Sequence, residues 1–387
     1  MTASTPPSTL PPLFPAEEEH SDAVARMIRE RIAAAGGWLP FETFMELALY
    51  APGLGYYSAG GAKMGAGGDF TTAPEVSDLF SVCVARQCAE VLRETSGSIL
   101  ELGAGTGRMA AGILEALADA NALPERYAIL EVSADLRDRQ RVCIERLPEA
   151  LRRRVVWFDR LPSRPWRGVV LANEVLDALP CQRIVVRQGV AHTLGVSANA
   201  EGAFMEEERP ADDALAAAWK RLARELPYDL PDAYRTELCL RVEPWISSLA
   251  DGLERGVMLL FDYGLPRAHY YHPQRSEGTL RCHYKHRVHD NPFLNVGVQD
   301  ITAWVDFTRV AEAGDAARFQ VWGFATQAAF LLALGIEGMV RDARQSSEAR
   351  QLLMPGEMGE AFKVMALARD FDKPLTGFTV QDLRHSL

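Results

Sequence analysis

The stretch that decides the fold is Ser98-Ile-Leu-Glu-Leu-Gly-Ala-Gly-Thr-Gly107. It begins with apolar residues typical of a buried strand, and glycines at alternate positions then end that strand. The next residues, 108–118, place apolar side chains at helical spacing. A glycine turn between a strand and a helix is the context in which glycine motifs bind ligands. Glycine allows tight turns and close approach to the backbone, and a helix start offers free N–H groups.

The spacing of these glycines separates two kinds of ligand. A dinucleotide site has the pattern G-x-G-x-x-G, with pyrophosphate over the helix N-terminus. Here an acid and three glycines stand at alternate positions: Glu101, Gly103, Gly105 and Gly107. This pattern resembles motif I of the class I S-adenosylmethionine methyltransferases. On this motif alone, the alternative is a glycine-rich turn of any α/β protein.

A second apolar segment, 127–130, ends in Glu131, which lies 24 residues after Gly107. In doubly wound sheets the ribose-binding acid lies about 20 residues after the glycine turn. We therefore expect Glu131 to accept hydrogen bonds from both ribose hydroxyls. The alternative is a solvated acid at the end of a strand.

Further strands are expected at 155–158, 168–172 and 256–262. Asp159 follows the first of them, and Asn173 and Glu174 follow the second. Because ligands of parallel α/β sheets bind outside the carboxyl ends of the strands, these polar residues should converge on one rim. Asp159 could contact the adenine edge, or it could be an ordinary acid in a turn.

The amino-acid composition limits the classes of protein to which the chain can belong. The chain has 387 residues, 48% of them hydrophobic, and a net charge of −11 without a long basic block, so no nucleic-acid partner is expected. The six cysteines are scattered, as expected for reduced thiols. No apolar run approaches the length of a membrane span. The first basic residue is Arg26, so we expect no signal or transit peptide and a cytoplasmic, bacterial-type protein.

A metal site is not expected, although five of the eight histidines lie within 269–289. Zinc sites normally add cysteine pairs or a helical H-x-x-x-H pattern, and this segment has neither. Its basic residues would also repel a cation. We interpret it as a basic, polar loop that either faces the substrate or simply covers the surface.

The predicted organisation is a doubly wound α/β sheet with an N-terminal cap and an insertion before the fifth strand. A first helix should begin at Ser21 or Asp22. The predicted segments are a disordered tail (1–20), N-terminal helices and a glycine-rich ligand-covering loop (21–94), the cofactor-binding core (95–180), inserted hairpins and helices on the acceptor side (181–255), the rest of the core (256–370) and a C-terminal tail (371–387).

Several motifs together resemble those of the MidA-type S-adenosylmethionine-dependent methyltransferases, in the same order over roughly residues 20–370. This family includes the mitochondrial complex I assembly factor that acts as a protein arginine methyltransferase. The motifs are Gly53-Leu-Gly-Tyr-Tyr57, Gly68-Asp-Phe-Thr-Thr-Ala-Pro-Glu75, Glu101-Leu-Gly-Ala-Gly-Thr-Gly107, Ala172-Asn-Glu-Val-Leu-Asp-Ala-Leu-Pro180, Phe261-Asp-Tyr-Gly264, Gly278-Thr-Leu-Arg-Cys282 and Gln299-Asp-Ile-Thr-Ala-Trp-Val-Asp-Phe307.

The resemblance implies a class I methyltransferase fold, S-adenosylmethionine as cofactor and a protein arginine as acceptor, in the mitochondrial case on a complex I subunit. Carboxylates can orient a guanidinium and accept its proton, and Glu174 and Asp177 are the acids best placed to do so. For Asp177 a solvent-facing acid is the alternative. Asn173 could hold the substrate or the cofactor amino group. Asp69 would close over the cofactor, and Tyr263 would wall the acceptor pocket.

Three other functions stay open on the sequence. The chain could be an assembly chaperone that binds S-adenosylmethionine as a structural ligand. It could also methylate a small molecule, although the large insertion favours a protein acceptor. A nucleotide-dependent oxidoreductase is disfavoured because the G-x-x-G spacing is missing.

Overall fold

The computed structural model describes residues 10–60, 71–162 and 165–387. These residues form two compact units. The helices are α1 (Pro15–Ala34), α2 (Phe41–Tyr50), α3 (Ala73–Val76), α4 (Asp78–Thr95), α5 (Arg108–Asp119), α6 (Ala134–Ile144), α7 (Glu149–Arg152), α8 (Asp213–Glu225), α9 (Val242–Ala250), α10 (Arg267–Tyr270), α11 (Phe307–Ala316), α12 (Gln327–Ala333) and α13 (Ala343–Leu353).

The strands belong to three sheets. They are β1 (Leu39–Pro40), β2 (Ser98–Leu102), β3 (Tyr127–Leu130), β4 (Val155–Phe158), β5 (Trp166–Asn173), β6 (Gln182–Arg187), β7 (Val190–Ala198), β8 (Phe204–Pro210), β9 (Tyr234–Leu238), β10 (Leu253–Leu265), β11 (Arg281–Tyr284), β12 (Arg287–His289), β13 (Asp300–Thr302), β14 (Val305–Asp306), β15 (Gln320–Thr326) and β16 (Phe362–Arg369).

The larger unit comprises Thr71–Leu179, Arg241–Tyr270 and Trp304–Leu387. Its sheet has the order β15-β16-β10-β5-β2-β3-β4, with β14 paired to β10. The strands β10, β5, β2, β3 and β4 are mutually parallel, and β16 runs antiparallel to both its neighbours. Their carboxyl ends therefore share one rim.

The core of the larger unit explains why its strands are almost uniformly apolar. Strand β5 buries five consecutive residues, 168–172, and β10 buries a longer run. Parallel strands are covered on both faces, so alternation with polar residues disappears. Helices α4 and α5 contribute buried faces to the same cluster, including Phe80 and Ile113. The strands predicted at 127–130, 155–158, 168–172 and 256–262 are confirmed as β3, β4, β5 and β10.

The smaller unit comprises residues 10–60, Pro180–Leu240 and Tyr271–Ala303. It contains an antiparallel sheet in the order β1-β7-β6-β9, with β8 on β7, and a three-stranded sheet in the order β12-β11-β13. The hairpins predicted within 181–255 are confirmed as the antiparallel pairs β6–β7 and β7–β8. Its own hydrophobic cluster includes Phe44 and Val196.

The predicted segment boundaries were wrong in three places. Helix α1 begins at Pro15, inside the predicted tail 1–20, because proline suits the first helical position and Glu17 accepts the Phe14 N–H at 2.7 Å. The insertion does not run over 181–255: α9 belongs to the larger unit, and residues 271–303 join the smaller one. The predicted C-terminal tail buries Phe371 and Phe378 in the core.

Among the described residues, no helix is both long enough and apolar enough to cross a bilayer.

Candidate active site

The glycine turn between β2 and α5 depends on left-handed backbone geometry. Gly103, Gly105 and Gly107 have φ of +62°, +54° and +84°. A side chain is disfavoured at such angles. At Gly107 a Cβ atom would also lie 3.1 Å from the Cα atom of Gln140. The turn leaves its backbone accessible and leads directly into the N-terminus of α5, whose N-cap residue is Gly107.

Glu101 lies in the interior behind this turn. Its Oε2 atom accepts a hydrogen bond from the Tyr127 hydroxyl at 2.8 Å. Burial raises the pKa of Glu101 to about 7, against the lowering effect of that hydrogen bond. Glu101 therefore packs against β3, and its predicted contact with the cofactor stays a prediction.

Glu131 follows β3 directly, as predicted, and its carboxylate is held on both oxygens. Oε1 accepts the Ser133 N–H at 2.9 Å, and Oε2 accepts a hydrogen bond from Gln140 Nε2 at 2.9 Å. Burial raises the pKa of Glu131. The next residue, Val132, is 73% exposed. It provides an apolar surface next to Glu131, the residue predicted to bind the ribose.

Gln140 is a site residue that the sequence analysis missed. It is fully buried, and its amide contacts Glu131, the Gly105 carbonyl (3.1 Å) and the Trp157 indole (3.0 Å). A signal was present: Leu136, Gln140 and Ile144 recur every four residues on the buried face of α6. A glutamine within an apolar stripe indicates a buried polar contact.

Asn173 and Glu174 lie where β5 ends. The Asn173 Nδ2 atom donates to Glu174 Oε1 at 3.1 Å. Glu174 has φ of +53°, and its N–H donates to the Phe261 carbonyl at 2.9 Å. A left-handed glutamate is uncommon and is often found at functional sites. The Asn173 Oδ1 atom is buried and accepts no hydrogen bond from the residues that the structure describes.

A second buried acid, Asp262 on β10, holds the turn after β5. Its Oδ2 atom accepts the N–H groups of Leu176 at 3.0 Å and Asp177 at 3.2 Å, and its Oδ1 atom accepts that of Tyr263 at 2.9 Å. Burial raises its pKa well above the usual range, and the charges of Asp177 and Glu174 add to the effect. The sequence pattern predicted no role for Asp262.

Asp177 is buried, so the solvent-facing alternative was wrong. Burial raises the pKa of Asp177 to about 6, and a hydrogen bond with Tyr263 works in the opposite direction. The Asp177 Oδ1 atom is buried and lacks a hydrogen-bond partner within the described part of the chain. The Tyr263 ring in turn lies edge-on to Trp304 and Phe362, at 6.3 Å and 5.4 Å between centroids.

The remaining predicted residues are less constrained. Asp159 is exposed in the bend after β4, on the predicted rim. Asp69 lies outside the described residues. Glu75, at the end of the same motif, contacts the glycine turn: its carboxylate accepts the Thr106 hydroxyl, and its carbonyl accepts Arg108 Nη1 at 3.1 Å. Within the described ranges, no group of three or more histidine, cysteine or acidic residues could hold a metal ion.

The arrangement has two parts along one rim. The glycine turn, the oriented Glu131 carboxylate and the exposed Val132 fit a nucleoside with an amino-acid moiety. The Asn173–Asp177 turn and Asp262 form an acidic, acceptor-rich cluster at the ends of β5 and β10. These features define a class I S-adenosylmethionine methyltransferase fold.

Comparison with known proteins supports this class. The sequence profile of a family described as S-adenosyl-L-methionine-dependent methyltransferases matches residues 83–325. A methyltransferase-like protein from Burkholderia thailandensis, crystallised with S-adenosyl-homocysteine, has a TM-score of 0.93 and 41% identity, covering 98% of this chain and 100% of its own. The chain belongs to the MidA-type family of S-adenosylmethionine-dependent methyltransferases. The predicted fold class and cofactor are thereby confirmed.

More distant relatives carry a narrower name. The mitochondrial protein arginine methyltransferase NDUFAF7 homologue of Drosophila melanogaster is 27% identical, covering 97% of this chain and 92% of its own. The mitochondrial protein arginine methyltransferase NDUFAF7 of Danio rerio is 25% identical, covering 90% of this chain and 88% of its own.

Proposed function

We propose that this protein methylates the guanidinium of an arginine side chain in a protein substrate. One observation carries the proposal: the buried Asn173 Oδ1 and Asp177 Oδ1 atoms accept no hydrogen bond from described residues. Buried acceptors without donors are costly unless a ligand supplies the donors. A guanidinium has five N–H donors and no acceptor, so it complements such a cluster. The names of the distant relatives point to the same chemistry.

The cofactor part of the proposal assigns the predicted residues. Glu131 would accept the ribose hydroxyls, and the backbone of Gly103, Gly105 and Gly107 would surround the amino-acid moiety. Asp159 would meet the adenine edge. Asn173 would orient either the guanidinium or the cofactor amino group. Asp69 is kept as a covering residue on the basis of its motif alone.

The mechanism requires alignment and a proton acceptor. Bound S-adenosylmethionine supplies a methyl group on a sulfonium, so a guanidinium nitrogen forms the new C–N bond as the S–C bond breaks. The residues of the rim hold that nitrogen in line. Glu174 and Asp177 orient and polarise the guanidinium, which is otherwise a poor nucleophile. The Asp177 Oδ1 atom accepts the released proton, while Asp262 fixes the backbone N–H groups that position Asp177.

The test is a labelling experiment. The purified protein is incubated with methyl-labelled S-adenosylmethionine and a cell lysate, and labelled proteins are hydrolysed to identify the modified residue. Methylated arginine in a protein band is expected, and the same incubation with an Asp177→Asn variant should lack it. Label on lysine or on a small molecule would contradict arginine specificity. No label, with cofactor binding intact, would favour the chaperone alternative.

The physiological setting is a further part of this proposal. A respiratory complex I-type subunit is the expected acceptor, and the cytoplasm is the expected compartment. The identity of the labelled band in the same experiment checks the first of these expectations.

The pH dependence of methylation should reflect Asp177. The proton acceptor must be ionised, and burial raises the pKa of Asp177 to about 6. We therefore expect kcat to be constant at higher pH and to fall as pH decreases through about 6. Initial rates at saturating cofactor measure the profile, with circular dichroism as the control for folding. A profile that stays flat down to about pH 5 would contradict a buried acid as the acceptor.

A further inference from the structure

Gln140 connects three segments of the cofactor half of the rim. Its Nε2 atom donates to the Gly105 carbonyl at 3.1 Å and to Glu131 Oε2 at 2.9 Å, and its Oε1 atom accepts the Trp157 indole N–H at 3.0 Å. These partners lie in the glycine turn, directly after β3 and on β4. The side chain is fully buried, and each of its polar atoms has a partner.

We propose that Gln140 is a positioning residue for the cofactor, which orients the Glu131 carboxylate and the glycine turn relative to each other. The proposal rests on the assignment of Glu131 as the ribose ligand. It does not depend on which acceptor is methylated.

The two N–H bonds of a primary amide diverge at a fixed angle in one plane, so one rigid group sets the direction from Gly105 to Glu131. The Ser133 N–H holds the other carboxylate oxygen at 2.9 Å. The carboxylate plane is thus fixed before any ligand arrives. Such preorganisation strengthens binding because the ligand does not have to order the side chain.

Packing alone does not account for a glutamine here. The neighbouring buried positions on α6 are Leu136 and Ile144, and an apolar residue of similar size would fill the site without burying an amide. A buried amide is tolerated because its partners satisfy it. One of those partners is the carboxylate predicted to bind the ribose.

Charged groups around Gln140 bear on the test. Glu131 follows β3, and Arg137 and Arg141 lie on α6 itself. Glu101 on β2 interacts electrostatically with Glu131. Glu131 contacts the amide directly, Arg137 donates to the Glu131 carbonyl at 2.5 Å, and Arg141 lies over the Trp157 ring at 5.7 Å.

The decisive variant is Gln140→Glu in the full chain. It preserves shape and the acceptor for Trp157, but it places a carboxylate against Glu131 and the Gly105 carbonyl. By calorimetry at about pH 7.5, the Kd for S-adenosylhomocysteine should rise about 10- to 100-fold relative to the parent protein. At about pH 5.5 a proton shared by Glu131 and the new glutamate restores a hydrogen-bond donor. The ratio of the variant Kd to the parent Kd should therefore be about tenfold smaller at about pH 5.5 than at about pH 7.5.

Two further variants separate orientation from packing. Gln351→Glu adds the same charge at an exposed position of α13 and should leave the Kd unchanged. Gln140→Leu should weaken binding equally at both pH values.

A Kd for Gln140→Glu within about threefold of the parent at about pH 7.5 would overturn the proposal. So would a loss of affinity that is the same at both pH values. If Gln140→Leu does not fold, the pH dependence of Gln140→Glu still decides. Arginine specificity is tested separately, because this experiment measures product affinity alone.

Discussion

An Asp177→Asn variant is expected to lose methyl transfer by a factor of about 10²–10⁴ in kcat, the range for removing a general base. Asparagine keeps the size of the side chain, but it cannot take the proton that leaves the guanidinium. The affinity for S-adenosylhomocysteine should stay within about threefold, since Asp177 belongs to the acceptor part of the rim.

The measurement pairs single-turnover methylation with calorimetry on the same preparation. Asp372→Asn is the matched control, because that side chain is 82% exposed. Glu174→Gln should also lose methylation while it retains cofactor affinity, through loss of guanidinium orientation. Methylation by Asp177→Asn at the parental rate would rule out Asp177 as the proton acceptor. Parallel loss of product affinity would instead show that the turn held by Asp262 had collapsed.

The order of elements in the larger unit could be predicted because its signals are local. A buried parallel strand appears as a continuous apolar run, and the glycines after β2 mark a turn wherever they occur. Residues at strand ends, such as Glu131 and Asn173, then share a rim by topology alone. The placement of these residues therefore needed no knowledge of side-chain contacts.

The parts that were missed depend on contacts between distant segments. Helix α1 and residues 271–303 join the smaller unit through pairing and packing that no local pattern encodes. Asp262 lies inside a strand, where its role becomes visible only when the turn after β5 donates two N–H groups to it. The spacing on α6 could have indicated that Gln140 is buried, but its three partners could not be predicted because they are separated from it by 9 to 35 residues.

A Gly168→Ala variant is expected to lose about 3 kcal/mol or more of its free energy of unfolding, through forced backbone displacement and strain. Gly168 has φ of +124°, which an L side chain rarely adopts, and a Cβ atom there would overlap the Ser98 carbonyl on β2. On its other side Gly168 pairs with Gly256 of β10, which is also left-handed at +145°. Strand β5 is therefore in close contact with β2 on one side and with β10 on the other, so it cannot move to make room for a Cβ atom.

Guanidinium chloride denaturation of the two purified proteins measures this loss, with Gly356→Ala as the control because a Cβ atom there meets nothing within 4 Å. A change below about 1 kcal/mol would show that the strands separate easily at this point.

Methyl transfer should fall together with the free energy of unfolding. The same three strands carry Glu101, Asn173 and Asp262, so a change in strand spacing displaces the cofactor and acceptor parts of the rim relative to each other. In-line transfer tolerates little misplacement. The folded Gly168→Ala protein should therefore methylate more slowly than the parent protein, by a larger factor than any loss of affinity for S-adenosylhomocysteine.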